Sequence, residues 1–153
     1  FDFSQKRSCV MRHAPSIVVP LVREVPEAIL KRLPAPKRWS AHEHACHLAH
    51  AQGVRAQPRA LLADIPGLTV VPVPEAEVCC GSAGIFNLTQ PAMATELGQR
   101  KAAQLSSVTP DVVVTSNPGC ILQIQSAARE QQHTFKVLHL VELLDASISG
   151  RAL

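Results

Sequence analysis

Asp111-Val112-Val113-Val114-Thr115-Ser116-Asn117-Pro118-Gly119-Cys120 is the stretch that decides the fold. Consecutive valines closed by a β-branched threonine suit a strand buried on both faces, the kind found in parallel sheets. Asn117-Pro118-Gly119 then breaks the strand as a turn. From about Cys120 to Gln131 a helix follows, with Ile121, Ile124 and Ala128 on one face. Strand, cysteine-bearing turn and helix together make one crossover unit.

The same rhythm appears on the N-terminal side. Leu68-Thr69-Val70-Val71-Pro72-Val73 leads into Cys79-Cys80-Gly81 and then a helix near Pro91 to Leu105. Pro91 suits a first helical position, with Thr89 or Gln90 at the cap. Before it, an extended piece at Trp39 to His42 precedes Cys46, and helical character through Pro58-Arg59-Ala60-Leu61-Leu62 stops at Pro66-Gly67. A last strand near Lys136-Val137-Leu138 and a helix from Val141 to Ser147 close the chain. Alternating strands and helices predict an α/β fold: a small, mostly parallel sheet flanked by helices, with the cysteine loops at the carboxyl edge of the strands. All three cysteine loops are therefore expected at one edge, where helix N-termini favour anions.

At 153 residues the chain suits one domain with a real core. Residues 1–38 show little periodicity and end in the stiff, basic Leu33-Pro34-Ala35-Pro36-Lys37-Arg38, so they read as a peripheral segment or linker, with the cysteine-rich domain at 39–150. Hydrophobic residues at 46% and charged residues at 18% describe an ordinary globular protein, and aromatics at only 3% point to an aliphatic core. The net charge of +3 lacks the aromatic interleaving of a nucleic-acid platform, which argues against a nucleic-acid partner. Ile17-Val18-Val19-Pro20-Leu21-Val22 is too short and Pro-broken for a signal core or a membrane span. The chain begins at Phe1 rather than Met, as expected of a piece of a longer protein.

Five cysteines, an odd number, fit reduced thiols in a cytoplasmic setting better than a disulfide framework, and Cys9 is the spare. Adjacent Cys79 and Cys80 bridge each other only with strain, and they direct their sulfurs differently. That arrangement suits a multi-iron cluster better than a single tetrahedral zinc. Gly81 and Gly84 would let amides approach cluster sulfides. Two alternatives stay open at this level: a zinc site, and cysteines acting only as small buried hydrophobes. His42, His44, His47 and His50 crowd around Cys46, but His42-Glu43-His44-Ala45-Cys46 misses the metalloprotease H-E-x-x-H pattern. These histidines read as structural or as donors behind the ligands. Gly81-Ser82-Ala83-Gly84 is neither a nucleophile elbow nor a phosphate loop, and the acidic residues show no evident pair for acid–base work. Arg100 and Lys101 are expected on a solvated helix face.

Ala45-Cys46-His47-Leu48, Cys79-Cys80-Gly81-Ser82-Ala83-Gly84-Ile85-Phe86-Asn87-Leu88 and Asn117-Pro118-Gly119-Cys120 together resemble the cysteine-rich CCG domain of heterodisulfide reductase, of lactate-utilisation iron-sulfur proteins and of the iron-sulfur subunit of glycolate oxidase. The long second motif is most similar to the glycolate subunit, as the C-terminal domain of which the chain reads. The resemblance covers about Trp39 to Leu144. It implies an electron-transfer subunit, not itself catalytic, whose Cys46, Cys79, Cys80 and Cys120 ligate a cluster of 4Fe-4S type. It further implies FAD on flavin-containing partner subunits that oxidise glycolate to glyoxylate, and ferredoxin-like and first CCG domains absent from this chain. Cytoplasmic placement, with peripheral association at the inner face of the membrane through the complex, belongs to the same expectation. Cys9 matches nothing in the family pattern. Gln123 stands where the heterodisulfide reductase pattern has its last cysteine, which speaks against a non-cubane cluster of that kind. A lactate- or heterodisulfide-linked oxidoreductase subunit, or a zinc-stabilised or metal-free interaction module, are the rival readings.

Overall fold

Parallel pairing organises the molecule, as the all-valine strand requires. The computed structural model describes the backbone of residues 39–44 and residues 53–153. In chain order the elements are β1 (Trp39–His44), α1 (Ala56–Ala63), β2 (Leu68–Val70), α2 (Phe86–Thr89), α3 (Pro91–Ser106), β3 (Val112–Thr115), α4 (Pro118–Glu130), β4 (Lys136–His139) and α5 (Leu140–Ser149). The four strands form one sheet in the order β2-β1-β3-β4, every neighbouring pair parallel. His44, Thr115 and His139 lie side by side in register, so β1, β3 and β4 end at a common carboxyl edge.

β3 shows why the sheet is covered on both faces. Val112, Val113, Val114 and Thr115 are all fully buried, and each valine contributes roughly 1.5–3 kcal/mol relative to exposure. Successive side chains point to opposite faces. Val112 and Val114 accordingly join Leu61, Leu62, Ile65, Leu140, Leu143 and Leu144 in a core built with α1 and α5. Val113 joins Val73, Cys80, Leu105, Cys120, Ile124 and Val137 in a second core, on the α3 and α4 side. The α/β expectation is met.

Local signals set the helix starts. α3 opens with Pro91 in its first turn and buries Ala94, Gly98, Lys101, Ala102 and Leu105 along one stripe. α4 begins at Pro118, earlier than the sequence suggested. Asn117 is its N-cap, its Oδ1 accepting from the amides of Gly119 (2.8 Å) and Cys120 (3.4 Å). Asn117-Pro118-Gly119 is therefore the first turn of the helix rather than a turn before it. At α5 the Nδ1 of His139 accepts from Val141 N while His139 N donates to Glu142 Oε2, a reciprocal cap.

Among the described residues no helix is long and apolar enough to cross a membrane. Residues 1–38, with Cys9, lie outside the described residues, as do Cys46, His47 and His50.

Candidate functional site

The Cys79-Cys80 loop and the Asn117–Cys120 turn meet beyond the carboxyl edge of β3. Ser82 lies against Gly119, its Oγ only 2.6 Å from where a Cβ would stand at that position. Cys80 is fully buried and Cys120 is 3% exposed; both belong to the core on the α3 and α4 side. Cys79 is half-buried, its Sγ accepting from the amide of Gly81 at 3.3 Å. None of the three is in a disulfide. Among the described residues no three ligating side chains stand close enough to hold a metal ion, so these cysteines do not complete a centre by themselves.

Gly81 is what allows the loop to pass so close to α3. Its φ is +89°, and an added Cβ would sit 2.4 Å from the carbonyl oxygen of Ala94. That same oxygen accepts from Gln123 Nε2 at 2.9 Å. Gln123, which occupies the place of a cysteine in the heterodisulfide reductase pattern, thus ties α4 to α3 beneath the loop.

Two residues expected on a solvated helix face behave differently. Arg100 is exposed and forms an ion pair with Glu75. Hydrogen bonding from the guanidinium, with its charge, holds the Glu75 carboxyl below the ordinary carboxylate range and raises Arg100 in turn. Lys101, by contrast, is 1% exposed, which corrects the sequence reading. Its Nζ donates to the carbonyls of Glu75 (2.8 Å) and Ala76 (3.3 Å). An ammonium can be buried when carbonyl dipoles replace its water. Glu75 O also accepts from Val78 N at 3.0 Å, closing the turn that leads into Cys79. Arg55 pairs with Glu77 on the other side of this turn. The segment ahead of the vicinal cysteines is thereby fastened to α1 and α3.

At the end of β3 stand two polar groups that composition did not single out. Thr115 Oγ1 and Ser116 Oγ are buried without a hydrogen-bond partner. Thr115 ends β3 and Ser116 follows it, immediately before the capped turn. They are orphaned polar atoms at the carboxyl end of β3, the edge to which the cysteine loops belong, and soft thiols with unpaired hydroxyl donors at that edge are a donor set that fits an iron-sulfur group. The signal available in the sequence was Thr115 itself, a hydroxyl ending an otherwise all-valine strand. Of the expected ligands, the structure brings Cys80 and Cys120 into one core with Cys79 adjoining. Cys46 lies outside the described residues, and of His42 and His44 only the backbone, in β1, is described.

A family model described as a cysteine-rich CCG domain matches residues 41–125. The chain is 37% identical over 121 residues, 78% of its length, to a subunit of the CoM/CoB fumarate reductase of Methanothermobacter marburgensis, and covers 24% of that protein. To the glycolate oxidase iron-sulfur subunit of Escherichia coli K12 it is 32% identical over 139 residues, 90% of this chain and 32% of that one. To lactate utilization protein A of Exiguobacterium sp. it is 27% identical over 117 residues, 76% of this chain and 46% of that one. The chain spans less than half the length of each of these relatives.

Proposed function

Because the chain belongs to the CCG cysteine-rich domain family, we propose that it is an iron-sulfur electron-transfer part of a glycolate-oxidising complex, with Cys46, Cys79, Cys80 and Cys120 as ligands of a 4Fe-4S-type cluster. The observation that carries this reading is the meeting of the Cys79-Cys80 and Asn117–Cys120 loops at the carboxyl edge of a parallel sheet, with Cys80 and Cys120 in one core. Cys46 follows His44 by two positions, at most about 7 Å of chain. His44, the last residue of β1, is itself the register partner of Thr115.

When bound, such a cluster takes up and releases single electrons at a potential set by burial and by hydrogen bonds to its sulfurs. The chain's own residues do the rest. The N-terminus of α4, capped by Asn117, presents a positive dipole end beside Cys120, which favours thiolate. The Gly81 amide donates to Cys79 Sγ, and Lys101 fixes the turn ahead of it. The core residues Val113, Ile124 and Val137 exclude water from one side. A reducing cytoplasmic compartment suits thiols that are kept out of disulfides.

Glycolate is favoured by the breadth of the match to the Escherichia coli iron-sulfur subunit, 90% of this chain. In this reading the oxidation to glyoxylate takes place on FAD in a partner subunit, and the chain only carries electrons away. A second reading, a lactate- or heterodisulfide-linked complex using the same cysteines, is favoured by the 37% identity to the methanogen protein. Reconstituting the chain with candidate flavin subunits and following cluster reduction by electron paramagnetic resonance tests the choice. Reduction driven by glycolate supports the first reading. Reduction only by lactate or by a dithiol replaces it with the second.

A further inference from the structure

Resting on the reading of a thiolate-held cluster, we propose that the Thr115 hydroxyl is a positioning residue that donates a hydrogen bond to a sulfur of that cluster and thereby raises its reduction potential. Four observations point there. Along β3 the side chains alternate, Val112 and Val114 into the core with α1 and α5 and Val113 into the core that holds Cys80 and Cys120. Thr115, next but one after Val113, falls on the Val113 side. It ends the strand at the carboxyl edge, between His44 and His139 in register, five positions before Cys120. It is fully buried, and its Oγ1 has no hydrogen-bond partner.

A buried hydroxyl left unpaired is a net cost to folding. Valine has nearly the same shape, carries no such cost, and occupies the three preceding positions of the strand. A threonine here is therefore a local loss unless something outside the described side chains accepts its proton. Ser116 Oγ, adjacent and likewise unpartnered, marks the same place as short of acceptors. Thiolate and inorganic sulfide are anionic acceptors, and the two described thiol-bearing loops converge at this edge. Reduction adds one electron and thus one negative charge to a cluster. A donor aimed at its sulfurs stabilises the reduced state more than the oxidised one, which moves the potential upward.

The test uses the full chain with Thr115→Val, which removes the hydroxyl and keeps the shape, and Thr115→Ser, which keeps the hydroxyl. In cluster-free protein Thr115→Val is expected to unfold at the same temperature as wild type or a higher one, since it removes an unsatisfied group. After anaerobic reconstitution, a redox titration followed by electron paramagnetic resonance is expected to show a lower midpoint for Thr115→Val and a near wild-type midpoint for Thr115→Ser. A lower unfolding temperature for cluster-free Thr115→Val would overturn the proposal, because the hydroxyl would then have a structural partner. So would an unchanged midpoint potential on a fully loaded cluster, and that result leaves the cluster itself standing. A wild-type chain that takes up neither iron nor sulfide would instead overturn the reading of the centre, and this role with it.

Discussion

Replacing Gly81 with alanine is expected to separate the geometry of the cysteine loop from the chemistry of its thiols. The residue has φ of +89°, a conformation that costs a side-chain-bearing residue about 1–3 kcal/mol. The new Cβ would also stand 2.4 Å from Ala94 O, 2.9 Å from Ala94 Cα and 3.0 Å from Ala94 C, all backbone atoms of α3. Ala94 is 2% exposed, and its carbonyl already holds Gln123, so neither helix can yield without disturbing the other. Overpacking of this kind adds about 1–3 kcal/mol. The sum is about 4 kcal/mol, or a fall of about 2 M in urea midpoint at an m-value of about 2 kcal/mol/M. Gly84→Ala is the matched control. Gly84 also has positive φ, +54°, but a Cβ there meets nothing within 4 Å, so only the conformational cost of about 1 kcal/mol remains. Urea unfolding of both variants in cluster-free form, followed by far-ultraviolet circular dichroism, makes the comparison. If Gly81→Ala is no less stable than Gly84→Ala, the loop does not pass against α3 as described and the reasoning fails.

Lys101→Met keeps the length of the side chain but withdraws both hydrogen bonds to the Glu75 and Ala76 carbonyls. It should cost about 2 kcal/mol and raise the rate at which the buried Cys80 is labelled by a thiol reagent, mapped by mass spectrometry; unchanged labelling would mean the clamp does not position the loop. Asn117→Ala removes the N-cap of α4 and should lower stability by about 1 kcal/mol in the same urea assay, with Asn117→Asp retaining most of it. Glu75 binds its proton less readily in the folded state than in the unfolded one, because Arg100 favours the carboxylate. Its contribution is thus complete above the ordinary carboxylate range and is lost as pH falls through the lowered folded value, so Glu75→Gln should lower stability slightly at neutral pH, leave it little changed in acid, and so flatten the acid limb of stability against pH.

Much of this was legible because local signals and tertiary demands agree. The Val112–Val114 run reads as a buried parallel strand and is one, and Pro91 opens α3 as its fixed φ invites. The convergence of the second and third cysteine loops followed from the rule that parallel strands deliver their loops to one edge. Other features were hidden for physical reasons. Trp39 to His42 reads as an extended piece, but its central place between β2 and β3 does not, because strand order is set by contacts distant in sequence, which periodicity does not encode. Lys101 reads as a surface cation in any helical pattern, and only the carbonyls of a distant turn explain its burial. α2 is four residues long with exposed Leu88, too short for a helical period to register. Asn117-Pro118 was readable by the rule used at Pro91, but a following glycine made it look like a turn. Thr115 could be noticed as the odd residue in a valine strand, while the lack of a partner for its hydroxyl exists only in three dimensions.

The central claim is that thiols from separate loops hold iron at the carboxyl edge of this sheet. Counting iron, zinc and acid-labile sulfide per chain after anaerobic reconstitution, in wild type and in Cys80→Ser and Cys120→Ser, tests it most directly. The account predicts iron and sulfide in equal amounts in the wild type and their loss in both variants. A single zinc without sulfide, or variants that keep full iron and sulfide, would contradict it.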